Sequence, residues 1–223
     1  MCIRDRYSMN QIKYESSMSI TQMPNKVDVL DMFTIPLIHV ELLEDTDELK
    51  GCKEYLNSSI QSKVGKPNNM VLEKYPKIKE ILTNNSNSAL KDILTYDAKF
   101  KITTSWITKT RQGQKCFMHN HKNCMFSAVY YYSDYDDETG KLVFDNPFKD
   151  MSSYMVENDQ DDPFNRASIK ITPRSKSLII FPSFIKHVID VHKSKQPRLS
   201  LAFNLIPVGK YGYGDSFYDT SLI

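Results

Sequence analysis

The chain has 223 residues, with 29 Lys+Arg against 27 Asp+Glu for a net charge of +2, and four cysteines. A chain this long buries a sizeable core without disulfide staples, and near-balanced charge makes no electrostatic case for nucleic-acid or membrane-surface binding. Apolar runs are short: the one around Leu178 to Phe181 falls far below the ~20 residues of a membrane-spanning helix. No apolar segment follows the early charges as in a secretory leader.

Residues 1–25 are expected to form a disordered or artefactual extension, because "MCIRDR" resembles the translation of a library-adapter sequence. Residues 26–223 are expected to form one domain. Cys2, Cys52, Cys116 and Cys124 lack the spacing of a disulfide framework, so a reducing, cytoplasmic setting is expected. In chain order, Phe33 to Val40, interrupted by Pro36, reads as an edge strand. Residues 45–63 place Leu49, Cys52, Tyr55, Leu56 and Ile60 at helical spacing. Residues 70–95 read as short helical pieces around a polar "TNNSNS" loop. "KFKITTSWITK" (99–109) alternates as a strand, with Trp106 as a core residue or pocket lining.

Strands are expected at 115–121, 125–133, 141–145, 167–172, 177–181, 186–190 and 198–206, with a hairpin turn at 134–140. A long polar, acidic loop at 148–166 is a candidate substrate lid. Helices followed by many short strands predict an α+β, mainly β fold: a double-stranded β-helix, or jelly roll, with N-terminal helices packed on one sheet. In "RLSLAFNL" (198–205), Leu199, Leu201, Phe203 and Leu205 share one face, while Arg198, Ser200, Ala202 and Asn204 share the other. That polar face suits a cavity wall, or else a solvent-facing sheet.

"CFMHNHKNC" (116–124) holds two of the five histidines, one residue apart. On an extended strand His119 and His121 point the same way and can grip one ion, with His187 the candidate third ligand. Three readings compete: a surface pair without metal, a zinc knuckle using Cys116 and Cys124, and an open catalytic site with free coordination positions. His39 and His192 read as structural or surface residues.

The ordered blocks "SWITKTRQGQKCFMHNH", "FSAVYYYSD", "TGKLVFDNP", "SLIIFPSFIKHVI" and "RLSLAFNL" resemble the bacterial and phage 2-oxoglutarate/Fe(II) oxygenases related to prolyl 4-hydroxylases, over about Phe33 to Pro207. The resemblance implies Fe(II) held by His119, His121 and His187. It also implies that Arg198 and Ser200 grip the distal carboxylate of 2-oxoglutarate, with Tyr131 a further contact and Asn204 and Trp106 candidate pocket lining. A planar guanidinium is suited to a carboxylate. The implied activity is a dioxygenase that hydroxylates its substrate using dioxygen and releases succinate and CO2, in the cytoplasm of a bacterium or an infected host.

The chain departs from the superfamily's usual pattern where His121 stands in place of a carboxylate. A three-histidine site also suits a zinc enzyme that activates water, as in hydratases or hydrolases, though that gives Arg198 and Ser200 no metal-related task. A non-catalytic cupin-like binding module is a further alternative, but the glutamate usual a few residues past HxH is missing: Asn123 to Phe126 stand there.

Overall fold

The computed structural model describes residues 34–42, 70–149 and 166–220, which fall in a compact unit running Ile35–Ile223, apart from Thr34. The expected helix at 45–63 and most of the 148–166 loop lie outside the described residues.

Five strands, β1 (Ile38–Glu41), β2 (Lys99–Thr110), β3 (Phe126–Tyr131), β6 (Ser177–Pro182) and β8 (Arg198–Val208), form one sheet in the order β1-β6-β3-β8-β2. Every neighbouring pair in it is antiparallel. A second antiparallel sheet of three strands takes β4 (Leu142–Asp145), β5 (Ser168–Ile171) and β7 (His187–Ile189) in the order β5-β4-β7. A hairpin of β9 (Lys210–Tyr211) and β10 (Tyr218–Asp219) follows. β1 is the edge strand that Pro36 suggests, although it begins after the proline. The 134–140 turn is not a hairpin turn: it carries the chain from the large sheet to the small one.

One helix, α1 (Pro76–Leu94), covers the outer face of the large sheet, with Ile78, Leu82, Ala89 and Leu90 buried along it. The polar "TNNSNS" stretch is helical, contrary to the loop its composition suggests. Its side chains bond back to the helix rather than leading the backbone away, with Thr83 to Lys79 O, Asn85 to Ile81 O, Ser86 to Leu82 O and Asn87 to Thr83 O. Asn87 also clamps the next strand, accepting from Phe100 N at 2.7 Å and donating to Phe100 O at 3.0 Å. Pro at the first helical position favours initiation, and Thr95 ends the helix in the left-handed conformation at φ 56°. Among the described residues no helix is long and apolar enough to cross a membrane.

The apolar faces of the large sheet thus serve two cores. Leu199, Leu201, Phe203 and Leu205 join the cluster under α1, as the alternation in β8 predicts. The opposite face packs Val129, Tyr131, Ile179, Phe181 and Ala202 against Leu142 and Phe144 of the small sheet.

Candidate metal centre and anion pocket

A cavity of about 250 Å³ lies between the two sheets, bordered by His119, His121, His187, Arg198, Ser200 and Trp106 among others. Trp106 reaches it through a break in the pattern of β2. Phe100 and Ile102 face the core under α1, so strict alternation would send Trp106 there as well. The register slips between Ile102 and Thr104, and a bulge of this kind turns the remainder of a strand over. Trp106 and Thr108 consequently face the cavity, and the indole packs on the His121 ring at 5.2 Å between centroids.

The expected strand at 115–121 is instead an irregular extended segment. It lies beside β7, where His119 and His187 form an isolated antiparallel bridge through paired backbone bonds of 3.0 and 2.8 Å. This bridge sets two of the imidazoles, His119 and His187, opposite each other across 68 residues of sequence. His121 follows through its N–H, which donates to Ser183 O at 3.0 Å. The three ring centroids stand 4.5 to 5.1 Å apart.

One nitrogen from each ring lies within 4.8 Å of the others. An ion bound at about 2.0–2.1 Å from imidazole nitrogen needs its donors roughly 3 Å apart, which modest side-chain rotation supplies. Proton placement favours the same use. His119 Nδ1 lies 2.8 Å from Phe117 O and His187 Nδ1 lies 3.1 Å from Ile185 O. A carbonyl only accepts, so each Nδ1 carries the proton and each Nε2 lone pair is left available. Burial, reinforced by the neighbouring His119, lowers the His121 pKa to about 4, and burial lowers that of His187 to about 4. Both rings are therefore neutral, ligating forms at pH 7. Neither Cys116 nor Cys124 joins the converging group among the described residues, which removes the knuckle geometry. The surface-pair reading also fails, because His187 is buried and meets both members of the pair.

Deeper in the cavity, Arg198 is 1% exposed. Its Nε donates to Gly140 O at 3.0 Å, Nη1 to Ser200 Oγ at 3.1 Å and Nη2 to Tyr131 OH at 2.9 Å. All three acceptors are neutral, and no carboxylate pairs with this buried cation among the described residues. Ser200 and Tyr131 each accept from the guanidinium, so each keeps a hydroxyl hydrogen to donate. Burial raises the Tyr131 pKa despite the adjacent Arg198, and the phenol stays protonated. Tyr131 acts on the pocket through Arg198 and is not itself on the cavity wall.

Asn204 is likewise set behind the wall, bonded to Ser127 and Thr104. His192 is a fully buried structural residue: it accepts from Gly140 N and donates to Gln196 O, fixing a neutral tautomer. Gly140 escapes a reading based on side-chain chemistry because its contribution is a carbonyl and a missing Cβ. A Cβ there would stand 2.9 Å from Asp190 O and 3.2 Å from Ile189 Cγ2. The "TG" closing the 134–140 turn was its only trace.

Residues 104–204 match the family model described as "Putative 2OG-Fe(II) oxygenase", a span that includes all the residues of the pocket described above. No curated protein matches the chain. Among solved structures, the chain is similar to HygX from Streptomyces hygroscopicus with nickel and 2-oxoglutarate bound, at 11% identity and TM-score 0.56, covering 78% of this chain and 83% of that one. It is also similar to two non-haem α-ketoglutarate-dependent proteins of nogalamycin biosynthesis. The epimerase SnoN has 12% identity and TM-score 0.58, covering 80% of this chain and 82% of that one. The carbocyclase SnoK has 12% identity and TM-score 0.56, covering 82% and 84%. At these identities the likeness is one of fold.

Proposed function

We propose that this chain, whose residues 104–204 match the 2-oxoglutarate/Fe(II) oxygenase family model, is such an oxygenase, binding Fe(II) through His119, His121 and His187 and seating 2-oxoglutarate with its distal carboxylate on Arg198. The observation that carries this assignment is the pairing of two unlike features in one cavity: three converging imidazoles, and a buried guanidinium with only neutral partners. Burying an uncompensated charge is costly, and a carboxylate delivered into the cavity compensates it. The two sheets, with the chain crossing between them before and after β4–β5 and again on each side of β7, form a double-stranded β-helix in this reading, and residues 26–223 are its single domain.

When bound, iron and 2-oxoglutarate supply oxidative chemistry in which dioxygen is consumed, succinate and CO2 leave, and a substrate C–H bond becomes C–OH. The chain's own contribution is orientation and exclusion of water. Arg198, oriented by Tyr131, and the Ser200 hydroxyl fix the diacid's far end, which sets where its keto-acid end meets the imidazoles. The carbonyls of Phe117 and Ile185 hold the His119 and His187 rings in the ligating tautomer. Trp106, Phe181 and Leu142 supply apolar wall.

Anaerobic Fe(II) with 2-oxoglutarate should give a weak metal-to-ligand charge-transfer band, absent in His187→Ala and weakened in Arg198→Ala. A three-imidazole set also suits zinc and water activation. Tight zinc binding without joint uptake of iron and 2-oxoglutarate would replace the oxygenase reading with that one.

A further inference from the structure

His121 differs from the other two imidazoles in how it is held. The rings of His119 and His187 are each fixed by a hydrogen bond to a backbone carbonyl. Among the described residues the His121 ring has no hydrogen bond, and its place depends on packing against Trp106 and on its backbone N–H to Ser183 O. Ser183 is in turn held at three points. Its N–H donates to Met125 O at 3.0 Å, its carbonyl accepts from His121, and its hydroxyl meets Ser127 Oγ at 2.9 Å.

From Ser127 a line of polar side chains continues behind the cavity wall. The Ser127 hydroxyl donates to Asn204 Oδ1 at 2.8 Å, and Asn204 Nδ2 donates to Thr104 Oγ1 at 2.9 Å. Because Ser127 spends its only hydrogen on Asn204, the Ser183 hydroxyl must be the donor to Ser127. The direction is therefore fixed along the whole line: Ser183 to Ser127 to Asn204 to Thr104. Ser127, Ser183 and Asn204 are all buried, where each such bond is costly to leave unmade. The line ties β3, β8 and β2 to the turn at Ser183, whose carbonyl accepts from His121 N–H.

Resting on the iron-site reading above, the structure assigns Ser183, Ser127 and Asn204 as positioning residues for the metal site: they hold the turn at Ser183, and through it the His121 backbone, in register with the other two imidazoles. Loss of a group directly bonded to a ligand typically weakens metal affinity 10–100-fold. Ser127 acts one residue further back, so a smaller effect of about 3- to 10-fold is expected.

The test is a Co(II) titration of the full chain, read from visible d–d absorption, in a double-mutant cycle of Ser127→Ala with His121→Ala. The expected result is weaker binding and an altered d–d band for Ser127→Ala, rescue by Ser127→Thr, and no further loss when Ser127→Ala is added to His121→Ala. Ser183→Ala removes the link nearest His121 and repeats the cycle if Ser127→Ala does not fold. An unchanged affinity and spectrum in the variants, or the same loss with and without His121, overturns the assignment while leaving the metal site standing. No Co(II) uptake by the unmutated protein overturns both.

Discussion

Replacing Arg198 with methionine separates a structural cation from a ligand anchor. In an ordinary buried ion pair, removing one partner costs about 3–5 kcal/mol, because a charge is stranded. Arg198 strands none: its partners are Gly140 O, Ser200 Oγ and Tyr131 OH. The variant leaves those acceptors without the guanidinium, at about 1–3 kcal/mol each where they stay unsatisfied. It also relieves the burial of a lone cation, which is worth several kcal/mol. These terms oppose, so folding stability should change by no more than about 2 kcal/mol, roughly 4–8 °C in melting temperature for a domain near this size. Binding of 2-oxoglutarate should fall far more. Two charge-assisted hydrogen bonds at about 1.5–3 kcal/mol each correspond to a loss of roughly 10²- to 10⁴-fold. Trp106, the only tryptophan, lines the cavity, so quenching of its emission reads the titration directly with Co(II) present. Retention of 2-oxoglutarate affinity within threefold, or a loss of stability near 5 kcal/mol, would refute the reasoning.

The pH dependence of the metal-free protein follows from His121 and His187, whose folded pKa values are lowered from 6.5 to about 4. Between those values the unfolded chain binds protons that the folded chain refuses, so stability is complete above pH 6.5 and falls as the pH drops toward 4. For the buried His187 alone the loss approaches roughly 3 kcal/mol, measurable as urea midpoints at pH 7 and pH 4.5 and expected to be smaller in His187→Gln. Gly140→Ala should cost about 1–3 kcal/mol through overpacking and also weaken 2-oxoglutarate binding, since the backbone must move away from Asp190 O while its carbonyl anchors Arg198; thermal melts and the Trp106 titration check the two effects. Asn87→Ala removes both bonds to the Phe100 backbone and should lower stability by about 1–3 kcal/mol with 2-oxoglutarate affinity intact, which the same pair of measurements tests.

What could be read from the sequence followed the reach of each signal. The period-two pattern of "RLSLAFNL" gave both faces of β8 correctly, because a central strand with an apolar layer on one side and a cavity on the other has little freedom to slip. The histidines and Arg198 were legible as residue types because few other arrangements use them in this order. Helix α1 was misread at "TNNSNS", where composition signals a turn but i−4 back-bonding keeps the backbone helical. The bulge after Ile102 leaves no mark in the sequence, and it alone decides which face of β2 Trp106 occupies. The irregular run at 115–121 looked like a strand because alternation was assumed. The convergence of His119 and His121 comes from two separate anchors on 183–187, which no local pattern encodes. Asn204 stands on the expected face of β8, yet its side chain is spent on Ser127 and Thr104, a choice visible only once three strands are side by side.

A histidine rather than a carboxylate at position 121 has a consequence for the charge inventory of the cavity. Among the described lining residues there is one fixed charge, Arg198, and no carboxylate, while His121 and His187 are neutral at pH 7. A divalent ion entering alone brings the pocket to +3. The dianion of 2-oxoglutarate reduces this to +1, and it touches both cationic centres at once in the proposed pose. Metal and 2-oxoglutarate should therefore bind with positive coupling, within the usual range of about 5- to 150-fold, and by linkage each should raise the affinity of the other by the same factor. An aspartate at position 121 would supply one negative charge permanently, so His121→Asp should strengthen Co(II) binding in the absence of 2-oxoglutarate and shrink the coupling. Co(II) dissociation constants measured with and without 2-oxoglutarate in both proteins decide the matter, and identical values with and without the diacid would mean that the pocket's charge does not govern its occupancy.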